Sequence, residues 1–206
     1  MIFYLVRHGL SISNEAGLVT GTPNDPLSET GRLQAKQLAA WMKVLGITPH
    51  RYVVSQWLRA RETASILFPG VAWNVDSRVG ETNAGNVANK PLVEFLDCHP
   101  DFYADPSNSY PSGESHLGLN SRVMDWFTEQ LQNPCASIML AAHSGPISCL
   151  LQYILGVDMA SFPAFLPAHA SMSVVRLEQC EEKWLGRLMG FSLGPISNIQ
   201  SVIHAK

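Results

Sequence analysis

The sequence predicts an α/β fold: a three-layer α/β/α sandwich around a mostly parallel sheet, with a cap segment inserted into it. Three observations carry this. Short uninterrupted apolar runs, of the kind that fill strands covered on both faces, alternate with segments of helical periodicity. The chain has 206 residues, 46% of them hydrophobic, which suits one core rather than two. The texture changes once, between about 77 and 121, where Gly, Pro, Asn and Ser are plentiful and Pro91 to Cys98 is the one clearly apolar run. Residues 1–206 are therefore expected to form a single domain, with roughly 77–121 as a lid or substrate loop.

In order along the chain, Ile2 to Val6 reads as a buried strand. Ser28 to Leu45 reads as a helix with Leu38, Trp41, Met42 and Leu45 on its apolar face, Ser28 as N-cap and Gly46 closing it. Tyr52 to Val54 is a second strand, followed by a helix from about Arg59 to Leu67 that Pro69-Gly70 ends. Ser137 to Ala142 is a third buried strand, and Pro146 to Leu155 a helix stopped by Gly156. Ser171 to Leu177 and Trp184 to Leu193 alternate like paired strands, joined by the polar Glu178 to Lys183.

Charge narrows the possible partners. Fourteen Lys and Arg against seventeen Asp and Glu give a net of −3, with no basic run. Nucleic acid and anionic membranes are not expected as partners. The first apolar stretch is too short for a signal peptide, and no stretch is long enough to span a bilayer. Cys98, Cys135, Cys149 and Cys180 lack metal or redox spacing and are expected as reduced thiols of a cytoplasmic protein. The charge is unevenly placed: residues 1–70 carry a net of +3 and residues 71–121 a net of −5.

The chemistry is expected at strand ends. The first strand runs into Arg7-His8-Gly9 and the third into His143-Ser144-Gly145, while the second delivers Ser55, Arg59 and Arg61. Ligands of open parallel sheets sit beyond the carboxyl ends of the strands, so these side chains can meet in one cleft. Arginines suit a phosphoryl group, which they bind by planar paired hydrogen bonds, and they repel a divalent metal. No metal-binding histidine pair and no P-loop accompany them. A histidine flanked by arginines can attack phosphorus through a neutral ring nitrogen. Neither a metal nor a cofactor is expected.

Five ordered segments then carry a resemblance. Leu5 to Asn14, with Arg7-His8-Gly9 and Ser11, resembles the opening motif of the histidine phosphatase superfamily, also described as phosphoglycerate-mutase-like. Asp25 to Ala35, Ser55 to Ala64, Pro111 to Ser115 and Ala142 to Ile147 are similar to its later motifs, Asp25 to Ala35 with an offset of one residue at its start. The resemblance implies a two-step phosphoryl transfer. His8 would become phosphorylated, while Arg7, Arg59 and His143 hold the phosphoryl oxygens. Asn14, Ser11 and Ser144 would add substrate hydrogen bonds. Glu81 would protonate the leaving oxygen and then activate water. The chain departs from the family after Glu81, where Gly85 to Asn89 replaces a tryptophan-containing stretch, so Glu114 is the alternative acid.

Other residues are expected in structural roles. Arg61 is read as solvated, and His50, His99, His116 and His204 as surface or packing residues. His169, which sits where relatives approach the site, is read as packing in preference to a site contact. Phe95, Phe102, Tyr103 and Tyr110 are read as cap packing in preference to a leaving-group pocket. The chain lacks the basic cap stretch of cofactor-dependent mutases, and its cap is acidic. Hydrolysis of a small phosphorylated metabolite with a neutral or cationic leaving group is therefore expected, by a monomer or homodimer. Phosphoglycerate-mutase-type transfer and non-catalytic binding of a phospho-ligand are the alternatives.

Overall fold

The computed structural model describes residues 1–181 and 183–195. Six strands form one sheet: β1 (Ile2–Arg7), β2 (Arg51–Ser55), β3 (Asn74–Asp76), β4 (Ser137–Ala142), β5 (Ser171–Cys180) and β6 (Lys183–Leu193), in the order β3-β2-β4-β1-β5-β6. The first four in that order pair in parallel, and β5 and β6 close the other edge antiparallel. Six helices accompany them: α1 (Ile12–Glu15), α2 (Glu29–Val44), α3 (Leu58–Leu67), α4 (Leu92–Cys98), α5 (His116–Gln132) and α6 (Ser144–Leu155).

The side-chain alternation of the strands decides which helix lies on which face. Phe3, Leu5, Ile138 and Leu140 pack with Leu119, Val123 and Trp126 of α5 and Ile147, Leu150 and Leu151 of α6. Val6 and Met139 pack on the opposite face with Leu38 and Met42 of α2 and Leu67 of α3. The three layers expected from the sequence are present. No helix among the described residues is long and apolar enough to cross a membrane.

Helix ends follow local chemistry. The Ser28 Oγ accepts from the Gly31 N–H at the start of α2, and Gly46 takes a left-handed φ of 65° just past its end. Leu45 does not join the apolar face. It lies beyond the last helical turn and is 53% exposed, and Ala35 fills the stripe instead. α6 starts two residues earlier than Pro146, because a proline in the first turn has no helical N–H to lose. β5 continues to Cys180, since Gln179 and Cys180 still pair with Trp184 and Lys183 at an exposed hairpin tip.

The segment expected as a cap contains α4 and the 3₁₀ turns Ser77–Val79, Gly85–Val87 and Phe102–Ala104. It gives way to α5 at His116, five residues before the expected boundary. Backbone bonds between Val19 and Lys90, Asn89 and Val19, and Leu92 and Gly17 tie it to the loop after α1. Val19, Ala84, Val87, Phe95, Phe102 and Tyr110 form a small core there.

Candidate active site

β1 and β4 lie side by side with Arg7 opposite Ala142. The chain leaves β1 toward α2 on one face and leaves β4 into α6 on the other. Such a divergence opens a crevice at the strand ends, and both histidines stand at its edge. The His8 backbone is fixed on two sides: its N–H donates to the Ala142 carbonyl, and its own carbonyl accepts from Ala170, each at 3.0 Å. The His8 and His143 rings are 5.0 Å apart.

Partners fix the form of the His8 ring. Nδ1 lies 2.6 Å from the Gly9 carbonyl oxygen, which only accepts, so Nδ1 carries the proton. Nε2 faces the Arg59 Nε–H at 3.0 Å and so presents its lone pair. The ring is nearly completely buried. Burial first, and then Arg59, His143, His169 and Arg7, hold its pKa well below the ordinary histidine value. A neutral ring with an unprotonated Nε2 is the form that can bond to an electrophile.

Arg59 is buried without any exposed surface. Its guanidinium stacks over the Trp57 ring at 4.6 Å, and Nη1 reaches the Asp25 carboxylate at 3.5 Å and the Thr22 carbonyl at 3.3 Å. Asp25 also accepts from the Ser13 N–H. The Thr63 hydroxyl, one helical turn after Arg59, accepts the Gly9 N–H and donates to the Arg59 carbonyl. Arg7 donates from Nη1 to the Pro167 carbonyl at 2.7 Å and from Nη2 to His169 at 2.8 Å. Burial lowers both arginines to about 10, which leaves them cationic at neutral pH.

The Arg59 Nη2 and His143 Nδ1 atoms are buried without a protein partner. His143 uses its other nitrogen, Nε2, on the Ser55 hydroxyl at 2.8 Å. Free polar atoms beside a histidine lone pair are what a tetrahedral oxyanion requires.

Glu81 enters from the opposite wall. Its Oε1 accepts from the Thr82 N–H at 3.0 Å and its Oε2 from the Gly145 N–H, in the first turn of α6, at 3.3 Å. A Cβ at position 145 would collide with Oε1, so this approach requires glycine there. Arg122, on α5, holds the segment that carries Glu81. It donates to the carbonyls of Arg78, Gly80 and Glu81 at 2.7 to 2.9 Å. The same guanidinium grips both oxygens of Glu114, at 2.7 and 2.9 Å. Glu114 is thus a bracing partner, beside the Ser115 N-cap of α5.

Not every expected residue reaches the open space. A cavity of about 440 Å³ is lined by Arg7, Asn14, Glu81 and Ser144, while His8, Arg59, His143 and Ser11 lie behind its wall. Ser11 caps α1 and donates its hydroxyl to Asn14 at 2.8 Å. Tyr103 and Tyr110 line the cavity, whereas Phe95 and Phe102 pack in the small core beside it. Arg61, His50 and His99 are exposed, as expected, and His204 lies outside the described residues.

Two histidines are better placed than the sequence reading allowed. His169 stands 5.5 Å from the His8 ring and accepts from Arg7. His116 packs on Tyr103 and also lines the cavity. His116 sits in no motif that could have marked it, whereas His169 lies in a segment that approaches the site in relatives. Arg122 was missed because its partners are carbonyls of a distant segment.

Three histidines of the site, His8 and His143 buried and His169 half-buried, make stability depend on pH in a defined direction. His143 and His169, like His8, are held well below the ordinary value, first by burial and then by the arginines. An unfolded chain takes up protons near pH 6.5 while the folded rings stay neutral, so the unfolded state is favoured as pH falls below that point. Stability should rise with pH through this window and level off above it, with a slope of about 1.4 kcal/mol per pH unit for each histidine. Urea unfolding at pH 5, 6 and 7.5 measures this, and a flat profile would contradict the assignment of neutral rings.

A switch-point crevice with paired guanidiniums, neutral imidazoles and a facing carboxylate defines a phosphoryl-handling enzyme. The chain belongs to branch 1 of the histidine phosphatase superfamily, whose family model matches residues 3–188. It is similar to a Yersinia pestis protein described as "Probable phosphoglycerate mutase GpmB", with 30% identity over 198 residues that cover 88% of this chain and 86% of that one. In fold it is similar to a mycobacterial glucosyl-3-phosphoglycerate phosphatase solved with VO3, with a TM-score of 0.81 and 24% identity over 94% of this chain and 99% of that one. It is likewise similar to the alpha-ribazole phosphatase of Shigella flexneri, with a TM-score of 0.82 and 20% identity over 94% and 96% of the two chains.

Proposed function

We propose that this protein is a metal-independent phosphomonoesterase that acts on a small phosphorylated metabolite through a phosphohistidine on His8. The carrying observation is the His8 ring, with its proton on Nδ1 and its unprotonated Nε2 turned to the buried Arg59 Nε–H at 3.0 Å, a donor that passes to a phosphoryl oxygen as Nε2 attacks. In the first step Nε2 bonds to phosphorus, the bond to the ester oxygen breaks, and Glu81 gives its proton to that oxygen. In the second step the Glu81 carboxylate takes a proton from water, the water oxygen bonds to phosphorus, and the bond to Nε2 breaks. Arg7 and Arg59 offset the charge on the phosphoryl oxygens in both transition states, and the neutral His143 ring adds a hydrogen bond from Nδ1. Asn14 and Ser144 bind from the cavity wall, and Ser11 acts by fixing Asn14.

The donor set favours a reaction without a metal, because two guanidiniums repel a divalent cation at the point where it would sit. The four cysteines are free thiols, and a cytoplasmic enzyme is the reading we adopt.

The test is a rapid acid-free quench after mixing the protein with a ³²P-labelled phosphomonoester in EDTA. Protein-bound label that survives alkali and is lost in acid, together with release of inorganic phosphate, is the expected result. Hydrolysis that stops in EDTA, or label absent throughout turnover, would overturn the mechanism.

A further inference from the structure

The cavity that begins at Arg7 and Glu81 continues outward along a wall that the proposed chemistry does not use. Leu18, Val19, Leu92, Tyr103, Phe162 and Leu166 form much of it. Of the described residues that line the cavity, Arg7 and Glu81 are those whose side chains can bear full charge, apart from His116, whose pKa burial lowers. The hydroxyls of Tyr103 and Tyr110 face each other at 3.2 Å, so each already has a partner. The volume of about 440 Å³ lies in the range that drug-sized molecules fill.

Apart from Glu81, the acidic residues of the cap do not line this space. Glu94, Asp97, Asp101 and Asp105 are exposed and do not line the cavity. Asp76 pairs with Arg78 and Glu114 with Arg122. Repulsion by the cap, which the charge count suggested, is therefore replaced by a different physical cause. A second anionic group on the substrate would lose its water against leucine, valine and phenylalanine, and among the described residues no lysine or second arginine lines the cavity to compensate. An apolar group gains from the same burial.

We infer that the cavity selects phosphomonoesters of uncharged, predominantly apolar alcohols, such as arylalkyl or branched alkyl monophosphates, over esters with a second carboxylate or phosphate. This inference rests on the phosphatase reading and specifies its substrate class. The reaction is ester plus water to alcohol plus inorganic phosphate, with no further reactant.

The experiment compares kcat/KM for 2-phenylethyl phosphate, glycerol 3-phosphate and 3-phosphoglycerate, all esters of primary alcohols, with p-nitrophenyl phosphate as the reporter of basic phosphatase chemistry. Burial of one phenyl-sized group corresponds to a preference of about 50- to 100-fold for 2-phenylethyl phosphate over 3-phosphoglycerate, with glycerol 3-phosphate between them. Leu166 is 57% exposed at this wall, so Leu166→Lys tests the cavity without disturbing the core. It should narrow the ratio by about tenfold, by adding the missing cation. A 3-phosphoglycerate rate equal to or above that of 2-phenylethyl phosphate, with p-nitrophenyl phosphate still hydrolysed, would overturn the substrate class alone. A ratio unmoved by Leu166→Lys would overturn the role of this cavity. Failure to hydrolyse any of the four esters would overturn the phosphatase reading, and this inference with it.

Discussion

His8→Ala is expected to lower kcat/KM for p-nitrophenyl phosphate by about 10⁴-fold or more, the scale seen when a covalent nucleophile is removed. The remaining arginines would still bind phosphate, so KM should change far less than kcat. The variant should also lose the alkali-stable label while its circular dichroism stays that of the folded protein. His143 is not placed to take over, since its bond to Ser55 holds its ring centre 5.0 Å from that of His8. Retention of a tenth of the activity would show that the phosphoryl group is received elsewhere.

Arg59→Ala is expected to reduce kcat/KM by about 10³-fold, because the guanidinium both faces the His8 lone pair and offers an unpartnered Nη2 to the transferring group. It should also destabilise the fold by about 3 kcal/mol, since Asp25 would keep a buried carboxylate without its cation. Arg59→Lys separates the two effects. A lysine restores charge near Asp25 but lacks the planar fork, so part of the stability should return while activity stays low. Urea unfolding and steady-state kinetics on both variants provide the measurement. Full activity in Arg59→Lys would mean that charge alone is needed.

Much of the fold was legible because its central strands are short apolar runs with no competing reading. β1, β2 and β4 fall where those runs predicted. β3 was not anticipated: Asn74 and Val75 are exposed and the strand is three residues long, so its sequence shows no burial pattern. α5 was overlooked for another reason. Its buried positions Leu119, Val123, Trp126, Phe127 and Gln130 do keep helical spacing, but glycine and polar residues at its start blend with the preceding loop.

Motif residues at strand ends were also legible, since strand register alone brings Arg7, His8 and His143 together. The Arg122 brace was not, because a guanidinium that binds backbone carbonyls leaves no pattern in its partners' side chains. Net charge was the weakest guide. A count of acidic residues has no direction, and in the cap most of them turn outward.

The contact between Gly145 and Glu81 makes two distant positions in the sequence a single steric unit. A methyl group at 145 and a full-length glutamate at 81 cannot occupy the same volume. Alanine at 145 would therefore push the Glu81 carboxylate and the Leu119 side chain aside, and a shorter acid at 81, its carboxyl group drawn back by one methylene, would relieve the first of these contacts. Among homologous chains, a side chain at 145 is accordingly expected where position 81 has changed as well.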